Sequence, residues 1–124
     1  MEFNEGVCNQ FVQNGLNADQ AKEAANLLIE PHELGKHLTE KTYLDLFNAL
    51  VKKGHVHEAY MLSKTVIFLG KNYTKKENFE NLITAYKKLG AIPKNYRKVI
   101  RLAMRTVTPE EFAAIQKFVG EPIA

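Results

Sequence analysis

The chain is expected to be all-α, a solenoid of helical hairpins. Apolar residues recur at i, i+3, i+4 and i+7, glycine and proline punctuate helix-length segments, and one segment partly repeats. That segment, residues 42–63 (TYLDLFNALVKKGHVHEAYMLS), reads as helix, glycine turn and helix. Its Tyr43, Leu46, Phe47, Ala49, Leu50, Gly54 and Val56 return 36 residues later as Phe79, Leu82, Ile83, Ala85, Tyr86, Gly90 and Ile92. One hairpin of this size cannot bury its apolar face by itself, whereas stacked copies can. The expectation is a single helical-repeat domain over residues 1–124, with hairpins at about 3–30, 39–70 and 74–106 and a capping helix at about 109–118.

The first helix is expected from Phe3 to Gln13, stopped by Gly15, with Val7, Gln10, Phe11 and Asn14 on one side. Asn17 and Gln20 are spaced as an N-cap and its return partner for a second helix. The Ala21, Ala24, Ala25, Leu28 stripe of that helix is small enough to admit a close neighbour. Pro31–Leu38 reads as a polar connection. Thr39 then starts a third helix with a Tyr43, Leu46, Phe47, Leu50 face, closed by Lys52, Lys53 and Gly54. The fourth, Val56 to Leu69, is expected to bury Ala59, Leu62, Val66 and Leu69 before Gly70. Thr74 and Glu77 read as the capping box of the fifth, whose face is Phe79, Leu82, Ile83, Tyr86 and Leu89 before Gly90. Pro93 suits the first turn of a sixth helix reaching about Thr106. Thr108-Pro109-Glu110-Glu111 combines an N-cap, a proline and acidic first-turn residues for a seventh.

Charge is divided along the chain. Residues 1–70 carry six Lys/Arg against nine Asp/Glu, and residues 71–124 carry eleven against five, so a net charge of +3 hides a basic carboxy-terminal part. Such a part points to a polyanionic or acidic partner. No apolar run approaches the ~20 residues of a membrane span, and the amino terminus has neither a secretory nor a transit pattern. Cys8 is the only cysteine, which excludes a disulfide framework within the chain and makes a reducing, intracellular compartment the default.

Thr42-Tyr43, the Leu46…Leu50 face, Lys52-Lys53-Gly54, Val56 and Glu58-Ala59 followed by Leu62 resemble the pentatricopeptide repeat, a helical hairpin recurring at about 35 residues. Phe79–Ile92 repeats the first helix and turn, with Asn95-Tyr96 where Glu-Ala is the family pattern. The resemblance implies single-stranded RNA binding in mitochondria or chloroplasts, about one base per repeat. It also implies that a base-reading side chain follows the aromatic of each first helix. Those positions hold Leu44 and Glu80, and Lys75 stands at the second reading position, so base-specific readout is not expected.

The sharpest functional signal is on the sixth helix. Lys94, Arg97, Lys98, Arg101 and Arg105 fall within an arc of about 100°. Lys87 and Lys88, just before the turn, are expected to extend this candidate RNA-binding face, with Tyr96, Val99, Ile100, Ala103 and Val107 on the buried side. The family's RNA track runs over the first helices, whereas this stripe is on a second one. That placement suits a structured RNA touched through its backbone, or an acidic protein surface, better than a threaded single strand.

Cys8, His32, His37, His55 and His57 lack zinc spacing, and no phosphate-cradling loop or nucleophile elbow occurs. Cys8 is expected to be a small buried residue. Tyr43, Phe47, Phe79 and Tyr86 are expected in the core, leaving Tyr73 and Tyr96 freer. The resulting expectation is a non-catalytic adaptor without metal, cofactor or small-molecule substrate, binding RNA phosphates inside an organellar ribonucleoprotein assembly. The other reading is a protein–protein interaction module or scaffold whose groove holds a partner helix.

Overall fold

The computed structural model describes residues 4–30, 33–90 and 93–120, with backbone alone for residues 93–95. The described residues are all-α: α1 (Glu5–Asn17), α2 (Ala21–Ile29), a 3-10 turn at Gly35–His37, α3 (Glu40–Lys52), α4 (Val56–Phe68), α5 (Lys76–Lys88), α6 (Pro93–Ala103) and α7 (Pro109–Val119). They divide into two compact units, residues 1–73 and 74–124.

In the first unit two hairpins stack in register. α1 packs on α2 and α3, and α4 packs on α3 and α2, so first helix meets first helix and second meets second. The buried face of α3 is the one its periodicity marks, with Tyr43, Leu46, Phe47 and Leu50 all at 0% exposure. Tyr43 also carries a polar handle into the core, where its hydroxyl lies 2.7 Å from Ser63 Oγ on α4. Ser63 spends its own proton on the Ala59 carbonyl at 3.0 Å, which makes Tyr43 the donor. The buried hydroxyls are thereby satisfied across the hairpin.

Three helices of this unit, α1, α3 and α4, end alike, each on a left-handed residue. After α3, Gly54 at φ +82° sends its amide to the Val51 carbonyl (3.1 Å), and the His55 amide reaches Leu50 (2.8 Å). These two bonds form a Schellman motif, which favours glycine at the left-handed residue. α1 ends on the same pair of bonds around Asp19 at φ +62°, with Asp19 bonded to Leu16 and Gln20 to Gly15. Asp19 therefore occupies in the first repeat the place that Gly54 holds in the second.

That equivalence corrects the expectation for the first hairpin. Gly15 does not stop α1; it lies within the last turn of the helix, and Asn17 is the last helical residue and not the cap of α2. The residue preceding α2 is Gln20, whose side chain makes no cap bond. Gly15 serves a different purpose, because a Cβ built there would lie 2.9 Å from the Ala24 Cβ on α2. The small-residue stripe of α2 does admit a close neighbour, and that neighbour is the Gly15 backbone.

The connection after α2 is less polar than its sequence suggests. Pro31 and His32 lie outside the described residues, but Gly35 and Leu38 are buried, and the 3-10 turn packs against α1 and α4. Tyr73 closes the unit: its hydroxyl donates to the Leu38 carbonyl (2.9 Å), and its ring lies 5.9 Å from that of Tyr43. This tyrosine is structural, not free.

In the second unit α5 packs on α6 and α7, and α6 on α7. Phe79, Leu82, Ile83 and Tyr86 are buried as expected, but Leu89 is 62% exposed. It falls at the C-cap of α5, where the stripe outlasts the helix. The cap of α5 also differs from Thr74/Glu77, since the Asn78 side chain accepts from the Lys75 amide at 2.8 Å. α7 begins with the expected capping box. The Glu111 amide donates to Thr108 Oγ1 at 3.2 Å, and the Thr108 amide donates to Glu111 Oε1 at 3.0 Å.

Candidate nucleic-acid interface

Unit by unit, the charge division is seven Lys/Arg against nine Asp/Glu in residues 1–73 and ten against five in residues 74–124. α6 concentrates the excess because its inner positions are apolar and its outer ones are basic. Tyr96, Val99, Leu102 and Ala103 are buried, whereas Arg97 and Arg101 are exposed. Ile100 and Val107, expected inside, are half-buried, and Leu102 is the core residue that the expected set lacked. Tyr96 is likewise core, at 6% exposure.

Arg97 and Arg101, four residues apart, project from successive turns about 6 Å apart along the axis. Among the described residues neither belongs to an ion pair, while Glu80 is held by Lys76 (2.9 Å) and Glu111 by the Thr108 amide. The Glu80 hydrogen bond, followed by its charge, raises the Lys76 pKa above its ordinary value. The acids of this unit are thus partly committed elsewhere, and the two arginines stand without an ion-pair partner among the described residues.

The remaining cations differ in setting. Lys98 is half-buried, with its ammonium 5.4 Å above the Tyr86 ring. α6 ends at Ala103 and not near Thr106, so Arg105 lies in the following turn; it is exposed, and its amide is bonded to Leu102 at 3.1 Å. Lys88 is exposed at the end of α5. Lys87 has a structural task, donating to the Phe118 carbonyl at 3.1 Å and sitting 5.4 Å above the Phe118 ring. It thereby neutralises the carboxy-terminal end of α7. The Lys94 side chain lies outside the described set.

The expected reading positions carry little that faces a base. Leu44 is half-buried, Glu80 is paired with Lys76, and Lys75 is exposed. The equivalent position on α1 is Asn9, which aligning the first hairpin on Gly15 conceals and the Asp19 turn reveals. Its side-chain oxygen accepts from the Thr39 amide (3.4 Å) and hydroxyl (3.3 Å).

No protein family, no curated protein and no solved structure matches this chain. Its chemistry is therefore read from its own residues. Among those described, no three His, Cys, Asp or Glu converge as a metal site, and no helix is long and apolar enough to cross a membrane. Cys8 is buried, with its thiol donating to the Leu34 carbonyl at 3.1 Å. Burial pushes its pKa up to about 11, a rise that the Lys71 charge only partly opposes. That thiol is protonated, the wrong state for a nucleophile.

The first unit carries a second surface feature. Ile29, Met61, Phe68 and Leu69, with Glu30, Lys64 and Thr65, line an open groove of about 440 Å³ between the ends of α2 and α4. Phe68 at its edge is 56% exposed.

Proposed function

We propose that this chain is a non-catalytic pentatricopeptide-like adaptor that binds RNA through backbone phosphates, without base-specific readout, inside an organellar ribonucleoprotein assembly. The observation that carries the reading is the exposed Arg97–Arg101 pair on the outer face of α6, unmatched by acids among the described residues. Arginine presents a planar fork suited to phosphate oxygens and keeps its charge at all working pH values. Lys98, Arg105 and Lys88 supplement the pair. Leu44 and the Lys76-bound Glu80 support the absence of base reading, since Leu44 has no donor or acceptor for a base edge and the Glu80 carboxylate repels the adjacent phosphates.

The test is affinity for RNA of unrelated sequence across a salt series. Four phosphate contacts on a single strand predict a log–log slope near −3, from about 0.7 per contact. Arg97→Glu with Arg101→Glu should abolish binding and flatten that slope. Absence of binding at about 50 mM salt, where electrostatic attraction is weakly screened, would defeat the reading. The groove beside Phe68 favours the second reading, an interaction module docking a partner's apolar residues. A partner that binds equally well after both charge reversals would favour it.

A further inference from the structure

We infer that the polyanion taken by α6 is a double-helical stretch of nucleic acid and not an unpaired strand. This rests on the RNA reading above and adds the form of the ligand. Proteins that hold unpaired strands combine a basic track with exposed aromatic faces, because stacking offsets the cost of ordering a flexible chain. The second unit has the basic track, but none of its described rings is exposed, with Phe112 and Phe118 half-buried. Phe79, Tyr86 and Tyr96 are 0%, 8% and 6% exposed, Lys98 lies over Tyr86, and Lys87 lies over Phe118. Among the described residues of this unit, the exposed large apolar side chains are Leu89 and Met104, neither of them aromatic. An unpaired strand laid on α6 would gain phosphate contacts and find no exposed ring to stack on among the described residues.

A duplex asks for less. Its phosphates are already ordered, and a rigid helix bearing Arg97 and Arg101 at a fixed step of about 6 Å meets them without reorganising either side. The outer surface of a single helix is also convex, the shape that lies along a groove edge and not the shape that encloses a strand. Denser charge favours the duplex further, since each contact releases about 0.9 counterions against about 0.7 on a single strand. Over four contacts that difference amounts to roughly sixfold in affinity at about 0.1 M salt, relative to a 1 M reference.

The experiment compares an RNA duplex of about 16 base pairs, each of its strands alone, and a DNA duplex of the same sequence. Wild type and the Arg97→Glu/Arg101→Glu variant are titrated by fluorescence anisotropy, with circular dichroism confirming that the variant is folded. The milder Arg97→Gln variant serves if the double reversal unfolds. The inference expects the RNA duplex to bind about sixfold tighter than either strand, with the preference lost in the variant. Equal or tighter binding of the strands would overturn it and leave the RNA reading standing. Failure of every nucleic acid to bind would defeat both. Duplex binding indifferent to the substitutions would also overturn it, as would displacement by polyglutamate as effective as by the duplex. Equal affinity for the DNA duplex would uphold the double-helical form and remove the assignment to RNA.

Discussion

At Gly15 the structure turns an ordinary stop signal into a packing requirement. Its Cα faces Ala24 so closely that one added methyl must push α1 and α2 apart. Gly15→Ala gains about 1 kcal/mol of helix propensity but incurs overpacking of about 1–3 kcal/mol. The net expectation is destabilisation of about 1 kcal/mol, read as a lower urea midpoint with an unchanged slope. Cys8 makes a second residue-scale prediction. Burial raises its folded pKa to about 11 from the ordinary 9.0, so between those values the unfolded chain has lost a proton that the folded chain keeps. Stability from this group is complete below pH 9 and declines as pH rises towards about 11, by linkage. Cys8→Ala should remove that decline, measured as urea midpoints between pH 8 and 11. Native Cys8 should also resist alkylation until the protein unfolds. Its buried character is legible from its place near Phe11; the Leu34 carbonyl that receives its proton is not.

For the helices, the interior repeats were legible because two signals agree in each. The α3 face and its Gly54 stop, and the α7 capping box, stand as their residues indicate. Thr108→Ala removes one half of that box and should cost about 1 kcal/mol, read by thermal unfolding of the full chain. The cap of α5 was misplaced by a residue because Thr74, Lys75, Glu77 and Asn78 offer overlapping cap patterns, and burial of Thr74 at 2% exposure decides between them. The end of α1 departs from its sequence signal for a physical reason as well. Glycine is the usual left-handed residue, and here an aspartate takes that role. Its carboxylate pairs with Lys53, tying the end of α1 to the end of α3. Leu89 shows the opposite error, a periodic position that outlives its helix.

Across the whole chain, the first unit contains two stacked hairpins, its own apolar core and a closing tyrosine. A chain cut after Tyr73 should therefore remain helical and unfold cooperatively, checked by circular dichroism in urea. Aggregation or a featureless transition would show that residues 74–124 are needed for that core. The candidate site was legible in part. The spacing of Arg97 and Arg101 places both on the outer face of α6, and they are exposed there. Lys87 lies near them in sequence, but the end of α7 draws it into a capping role that no spacing reveals.

Local patterns alone determined the all-α class, the hairpin period, most caps and the side of α6 that carries charge. They suffice because backbone hydrogen bonding and amphipathic periodicity act within one or two helical turns. Contacts between distant residues decided the rest: Gly15 against Ala24, Tyr73 against Tyr43, Lys98 over Tyr86 and Lys87 on Phe118. Each depends on which helix arrives opposite, and only the packed chain specifies that.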